Sequence, residues 1–280
     1  MTTPIALTIA GSDSSGGAGV QADLKTFSAL GVYGASVITA LTAQNTHGVA
    51  GVHDVPADFV ARQIDSVFSD LSVGAVKIGM LSVSATIEAV AAGLERHDAR
   101  AVVLDPVMVA TSGDALLAPE AIDTLRRRLF PKAIVVTPNL PEAAAILGGE
   151  IAGSEAEMIE QGRRLLELGP SAVLLKGGHA EGRESVDVLV EASGVRRFAS
   201  ARIDTPNTHG TGCTLSSAIA AGLAKGLPLL DAIQAAKNFV TAAIAASARL
   251  RVGSGHGPVH HFHRWWDPQT GASLFEGSSR

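Results

Sequence analysis

Five short stretches of this chain combine residue types and positions that chemistry can use. Asn207-Thr208-His209-Gly210-Thr211-Gly212-Cys213-Thr214 opens a helical pattern expected from about Gly212 to Lys225. Small residues at a helix start leave several backbone N–H groups pointing outward, and the helix dipole adds positive potential there. That is an anion hole suited to a phosphate whose charge spreads during transfer. Cys213 lies in the first turn. A lone cysteine ordinarily packs as a small buried hydrophobe. At a helix N-terminus a thiol's pKa falls, which makes it available as an acid or base.

Gly11-Ser12-Asp13-Ser14-Ser15-Gly16-Gly17-Ala18-Gly19 follows an apolar run and precedes a helical stretch, Val20 to Ala29. Its four glycines let backbone approach a ligand closely, although alone the loop reads equally as a flexible turn. The spacing is neither the G-x-G-x-x-G of dinucleotide binding nor the G-x-x-x-x-G-K-[ST] of a P-loop.

Three further stretches follow short apolar runs. Thr137-Pro138-Asn139-Leu140-Pro141-Glu142 places Asn139 and Glu142 where they could hold hydrated Mg²⁺. The same pattern is equally a helix start with an acidic residue in its first turn. Asp105-Pro106-Val107-Met108 sets a carboxylate at the end of one run, or a turn residue before proline. Lys176-Gly177-Gly178-His179 sets a lysine where it could reach a phosphate, or a plain turn.

The elements that must position these residues alternate. Candidate strands are Ile5–Ala10, Ala35–Leu41, Ala75–Ile78, Ala101–Leu104, Ala133–Val136 and Ala172–Leu175. Several are apolar throughout, as in a parallel sheet covered on both faces. Val186–Val190 and Val195–Phe198 straddle a turn at Ser193-Gly194 and read as a hairpin. Val60, Ile64, Val67, Phe68 and Leu71 share one helical face, as do Ile87, Val90, Ala91 and Leu94. Strand–helix alternation implies an α/β fold with a mainly parallel sheet and helices on both faces. Ligands in such sheets bind beyond the carboxyl ends of the strands, where most of these motifs fall.

Composition narrows the function classes. The 280 residues carry 22 Lys and Arg against 27 Asp and Glu, a net charge of −5. No basic excess suggests nucleic acid, and aromatics at 4% are too few for a base-stacking platform. Arg126-Arg127-Arg128 and Arg163-Arg164 read as solvated helix faces. One cysteine excludes an internal disulfide and favours a reducing compartment. The N-terminal apolar run is too short for a signal sequence or a membrane span, so the expectation is a cytoplasmic protein. The stretch His256 to Trp266 holds four histidines in eight positions. No cysteine or carboxylate completes a metal shell nearby, so it is expected to pack its aromatics on the body.

Together the motifs resemble the ribokinase-like superfamily, whose members phosphorylate hydroxyl groups of sugars, vitamins and vitamin precursors. More narrowly, Ile9-Ala10-Gly11-Ser12-Asp13, Gly16 through Asp23, Val37 through Leu41 with Gln44-Asn45-Thr46, Lys77 through Leu81, and Asn207 through Thr214 resemble the hydroxymethylpyrimidine kinases. The likeness runs from about residue 4 to residue 266.

It implies a ribokinase-like three-layer sandwich in one domain, 1–266, with 267–280 a flexible tail. It implies ATP-dependent phosphorylation of 4-amino-5-hydroxymethyl-2-methylpyrimidine and then of its monophosphate, for thiamine synthesis, with Mg²⁺ and in a homodimer. Gly11, Asp23, Gln44, Met80 and Val107 would bind the pyrimidine: Asp23 and Gln44 on its amino group and ring nitrogens, Met80 and Val107 on its faces. Lys176 and Asp105 would face the ATP phosphates, with Asn139 and Glu142 on the metal. Cys213 would assist attack while amides of Gly210, Thr211, Gly212 and Cys213 hold the transferring group. Most sugar and nucleoside kinases of the superfamily have Asp at the Cys213 position. The alternatives are a pyridoxal kinase, a dehydrogenase (which lacks its fingerprint), and a non-catalytic vitamin-binding protein on the same scaffold.

Overall fold

A computed structural model describes residues 2–108, 116–118, 120–178 and 182–266. His179 and the expected tail at 267–280 lie outside them.

The sheet forms where the apolar runs were read. Strands β1 (Ile5–Ala10), β2 (Tyr33–Ile38), β5 (Ala75–Ile78), β6 (Val102–Leu104), β7 (Val135–Val136), β8 (Ala172–Lys176), β9 (Glu184–Glu191) and β10 (Gly194–Ala201) make one eight-stranded sheet. Its order is β10-β9-β8-β7-β6-β5-β1-β2. From β2 to β8 every neighbouring pair is parallel, and the β9–β10 hairpin closes one edge antiparallel.

Side chains alternate across the sheet, as a strand's period of two requires. Leu7, Ile9, Val76, Ile78, Val102 and Leu104 enter one core with helices α2 (Ala57–Phe68), α3 (Ser84–Arg96), α4 (Ala121–Arg128), α5 (Leu140–Leu147) and α6 (Glu155–Leu166). Ala6, Ala75, Val103, Val135 and Leu174 enter the other with α1 (Gly19–Ala29), α7 (Thr211–Ala224) and α8 (Leu229–Ala245). Both faces are covered, giving three layers.

Two expectations needed correction. The run Ala35–Leu41 is not one strand. The chain leaves the sheet at Thr39, whose N–H donates to Ala10 O at 3.0 Å and whose hydroxyl donates to Met80 O at 2.8 Å. It then builds a separate two-stranded sheet, β3 (Ala40–Asn45) with β4 (Gly48–Asp54). This pair is largely exposed, so it lacks the apolar signal that marks a covered strand. The second correction concerns the histidine-rich segment. Two of its histidines pack inward, His260 at 3% and His261 at 4% exposed, whereas His256 is exposed and Trp265 is 62% exposed. Burial holds the His261 imidazole neutral, down to about 3, beside Thr214 Oγ1 at 3.0 Å.

Candidate functional site

The site gathers where β6, β7 and β8 end and α7 begins. Asp105 follows β6, and its carboxylate is 1% exposed. Its Oδ1 accepts from Thr137 Oγ1 at 3.0 Å and Lys176 Nζ at 2.7 Å, and its Oδ2 from Ser216 Oγ at 3.1 Å. Burial alone would raise its pKa. Lys176 and Lys77 outweigh that and hold the carboxyl below the usual range. Lys176 ends β8 and is kept charged by Asp105 and Glu142 against its own burial.

Glu142 lies 3.9 Å from Lys176 Nζ. It closes a capping box on α5: Asn139 Oδ1 accepts from Glu142 N–H at 2.8 Å, and Glu142 Oε2 accepts from Asn139 N–H at 2.7 Å. Both readings of the N-x-x-E pattern thus share one place, since the helix cap stands beside Lys176. Burial pushes the Glu142 carboxyl up to about 7, with Lys176 opposing and Asp105 adding to the rise. Oxygen donors here suit a hard cation held through water. Among the described residues no group of three or more acidic, histidine or cysteine side chains could hold a metal directly.

Helix α7 brings its N-terminus to the same place. A Cβ added to Gly212 would sit 3.1 Å from Lys176 Nζ and 3.7 Å from Asp105 Oδ2. Gly210 caps the helix at φ 77°, where L side chains are strained, and an added Cβ would strike the carbonyl of Gly17. Not all four expected amides face outward. Thr211 N–H donates to Thr208 O at 3.2 Å, whereas Gly212 and Cys213 N–H meet no acceptor among the described residues.

Cys213 departs from expectation more sharply. Burial raises its thiol to about 11, with Lys77 opposing and Asp23 and Asp105 adding to the rise. The helix terminus does not overcome the loss of water around the sulfur, so the thiol is protonated at neutral pH. The Gly19 backbone N–H opposes the rise.

Two of the expected pyrimidine-binding residues, Gly11 and Met80, meet on the other side. A Cβ at Gly11 would lie 3.0 Å from Met80 Sδ and 3.7 Å from Ala40 O, at the start of β3. Gln44, at the far end of β3, accepts from Thr42 Oγ1 at 3.0 Å, and Thr42 Oγ1 reaches Ser12 O at 2.7 Å. Val107 follows Asp105, its N–H on Asp105 O at 2.8 Å.

Asp23 is placed otherwise. It is 0% exposed. Its Oδ2 accepts from Thr8 Oγ1 at 2.6 Å and Lys77 Nζ at 2.9 Å, and its Oδ1 from Lys77 Nζ at 3.0 Å and Ser217 Oγ at 2.5 Å. The carboxylate is saturated by protein donors, so its expected pairing with a ligand gives way to a pairing with Lys77.

Sequence reasoning missed Lys77, Asp13, His209 and Ser216. Lys77 had a signal: a lysine inside the apolar run Ala75–Ile78 must find a buried acid. The others depend on contacts between distant segments.

A family model described as phosphomethylpyrimidine kinase matches residues 13–260. A hydroxymethylpyrimidine/phosphomethylpyrimidine kinase of Rhizobium meliloti is 63% identical over 94% of this chain and 99% of its own. The enzyme of the same name from Escherichia coli is 57% identical over 93% and 98%. Among solved structures, Bacillus subtilis pyridoxal kinase in complex with ADP superposes with a TM-score of 0.88 at 39% identity, over 95% of this chain and 100% of that one. Phosphomethylpyrimidine kinase from Clostridium difficile gives 0.76 at 46% identity, over 86% and 99%.

Proposed function

The chain belongs to the phosphomethylpyrimidine kinase family, and from that premise we propose how its site phosphorylates 4-amino-5-hydroxymethyl-2-methylpyrimidine and then the monophosphate with ATP. The fold is ribokinase-like, and the enzyme is a kinase of thiamine synthesis. The observation that carries the reading is Lys176 beside Gly212. A fixed cation and the outward amides of Gly212 and Cys213 converge on one point.

The pyrimidine lies against Met80 and Val107, beside the Gly11 backbone, with Gln44 reading its polar edge. A polar reader that the bound ring covers rejects ligands that leave it unpaired. ATP phosphates meet Lys176, whose neutraliser in the free protein is Asp105. Asn139 and Glu142 would hold Mg²⁺ through its water shell, where the ion would supply positive charge against the phosphates.

Transfer needs little covalent help from the protein. In a loose transition state, positioning and electrostatics carry most of the catalysis. Lys176 and the α7 amides stabilise the charge on the transferring group. Cys213 acts as a neutral thiol that seats the attacking oxygen. It takes no proton in that state: in the first step the hydroxymethyl proton passes to an oxygen of the transferring phosphoryl group, and in the second the acceptor is already an anionic phosphate with no proton to lose. An aspartate there would repel it.

We read residues 1–266 as one kinase domain, supported by the single large sheet with a core on each face. A homodimer rests on the superfamily resemblance, with exposed Leu41 on the β3–β4 sheet in its favour. The cytoplasm suits ATP chemistry and an unpaired thiol. The likeness to pyridoxal kinases favours a second, weaker activity on pyridoxal, another hydroxymethyl on an aromatic N-heterocycle.

Competition tests the assignment. With ATP, Mg²⁺ and equal amounts of the pyrimidine alcohol and pyridoxal, the pyrimidine is expected to be consumed first. Pyridoxal phosphate as the main product would move the protein to the other kinase class. Failure to consume ATP with either would favour the binding-protein reading.

A further inference from the structure

One contact between the two glycine-rich loops has no part in the mechanism above. Asp13 is 1% exposed and its carboxylate receives five hydrogen bonds. Oδ1 accepts from Ser15 N–H at 2.8 Å and Ser15 Oγ at 2.7 Å. Oδ2 accepts from Gly17 N–H at 3.0 Å, Ala18 N–H at 2.8 Å and His209 Nε2 at 2.8 Å. Burial opposes the charge, but His209, Ser15 and Ala18 outweigh it and hold the carboxyl well below the usual range. An ionised carboxylate only accepts, so His209 Nε2 carries a proton.

His209 is fixed from the other side as well. Its N–H donates to Gly257 O at 3.0 Å, and its O accepts from Val259 N–H at 3.4 Å. The residue is a strut: its backbone holds the C-terminal segment and its ring the first loop. Around it the loops touch. A Cβ on Gly17 would strike the His209 ring, and one on Gly210 would strike Gly17 O.

We propose that the Asp13–His209 pair is a positioning clamp that sets the separation between the acceptor side of the site, Gly11 to Gly19, and its phosphate side, Gly210 to Cys213. This rests on the function proposed above. The pair is not a base and its orienter. His209 is 5% exposed, and both partners are already engaged with protein. What the clamp controls is alignment. Gln44, Met80 and Val107 on the pyrimidine ring, and Lys176, Asn139 and Glu142 on the ATP side, lie outside the two clamped loops, so the clamp governs kcat and leaves KM for either substrate nearly unchanged.

Three substitutions test this. His209→Leu keeps bulk and removes the donor. His209→Gln keeps an N–H donor at similar reach. His209→Asn leaves the donor short of Asp13, and it replaces the leucine variant if that does not fold. In His209→Leu, kcat per folded site is expected to fall by about 10²-fold, the cost of a misplacement near 1 Å, with KM for both substrates within about threefold. His209→Gln is expected to recover most of that loss. Unchanged kcat in His209→Leu, or altered KM values with kcat retained, would overturn the proposal. Nitrogen NMR of His209 gives a readout independent of turnover. A protonated Nε2 in the wild type, with its signal displaced in Asp13→Asn, supports the clamp, and an unprotonated Nε2 in the wild type overturns it. A wild type without kinase activity would defeat the functional reading and leave the NMR result to judge the clamp.

Discussion

Lys176 Nζ lies 2.7 Å from Asp105 Oδ1 and joins the ends of two strands that are 71 residues apart in sequence. Strand β7 runs between them, and its Thr137 hydroxyl reaches the same Asp105 oxygen at 3.0 Å. The ion pair keeps a cation ready at a sheet edge that would otherwise bury an unneutralised charge. An incoming phosphate can then draw Lys176 to itself without the lysine first having to gain a proton.

The Asp23–Lys77 pair beneath the site is structural, and stability should show it. Both side chains are 0% exposed. Removing one partner of such a pair costs about 3–5 kcal/mol, because the other charge is left buried. Asp23→Asn should therefore lower the unfolding midpoint in thermal or denaturant melts. The folded fraction should keep its KM for the pyrimidine within about threefold, on the same ground that the lost charge pair is not a ligand contact. A normal melting point with a greatly raised KM would return Asp23 to the ligand.

Cys213 is the only cysteine, so alkylation reports on it without ambiguity. Its thiol is raised from 9.0 to about 11. A raised thiol pKa means less thiolate at a given pH, and the thiolate is the reactive form. Iodoacetamide should react roughly 100-fold more slowly near pH 7.5 than with an ordinary thiol, since each pKa unit is tenfold in thiolate. The rate should still be climbing at pH 9.5. A plateau below pH 8 would restore an activated thiolate.

Cys213→Asp separates the two acceptors. A carboxylate beside the transferring group tolerates a neutral alcohol and repels an anionic monophosphate. The second phosphorylation should slow relative to the first by at least roughly tenfold, about 1.4 kcal/mol of barrier. Retention of the second step at full rate would remove the reason offered for a neutral residue here.

Much of the architecture was legible because covered parallel strands leave apolar runs. The strands that enclose the site, β1, β5, β6 and β8, were placed within a residue of their ends. The β3–β4 sheet was not, because its strands are largely exposed and leave no continuous apolar run. Within the site, Lys176, Asp105, Glu142 and Gly212 were named from strand ends and a helix start, and the structure brings them together. Asp23 was misassigned because a carboxylate near a ligand loop looks available until Lys77, 54 residues away, is seen to fill it. The thiol's titration was misjudged for a similar reason. The helix terminus is visible in sequence, whereas the burial that outweighs it is not.

The central claim is that one site, built on Lys176 and the start of α7, performs both phosphorylations. The direct measurement is the mass of products formed over time from the pyrimidine alcohol with ATP and Mg²⁺, by the wild type and by Lys176→Met. The wild type should give the monophosphate and then the diphosphate, and both steps should fall together by roughly 10²–10³-fold in the variant, as when a preorganised transition-state donor is lost. Persistence of either step at the wild-type rate would contradict a single site centred on Lys176.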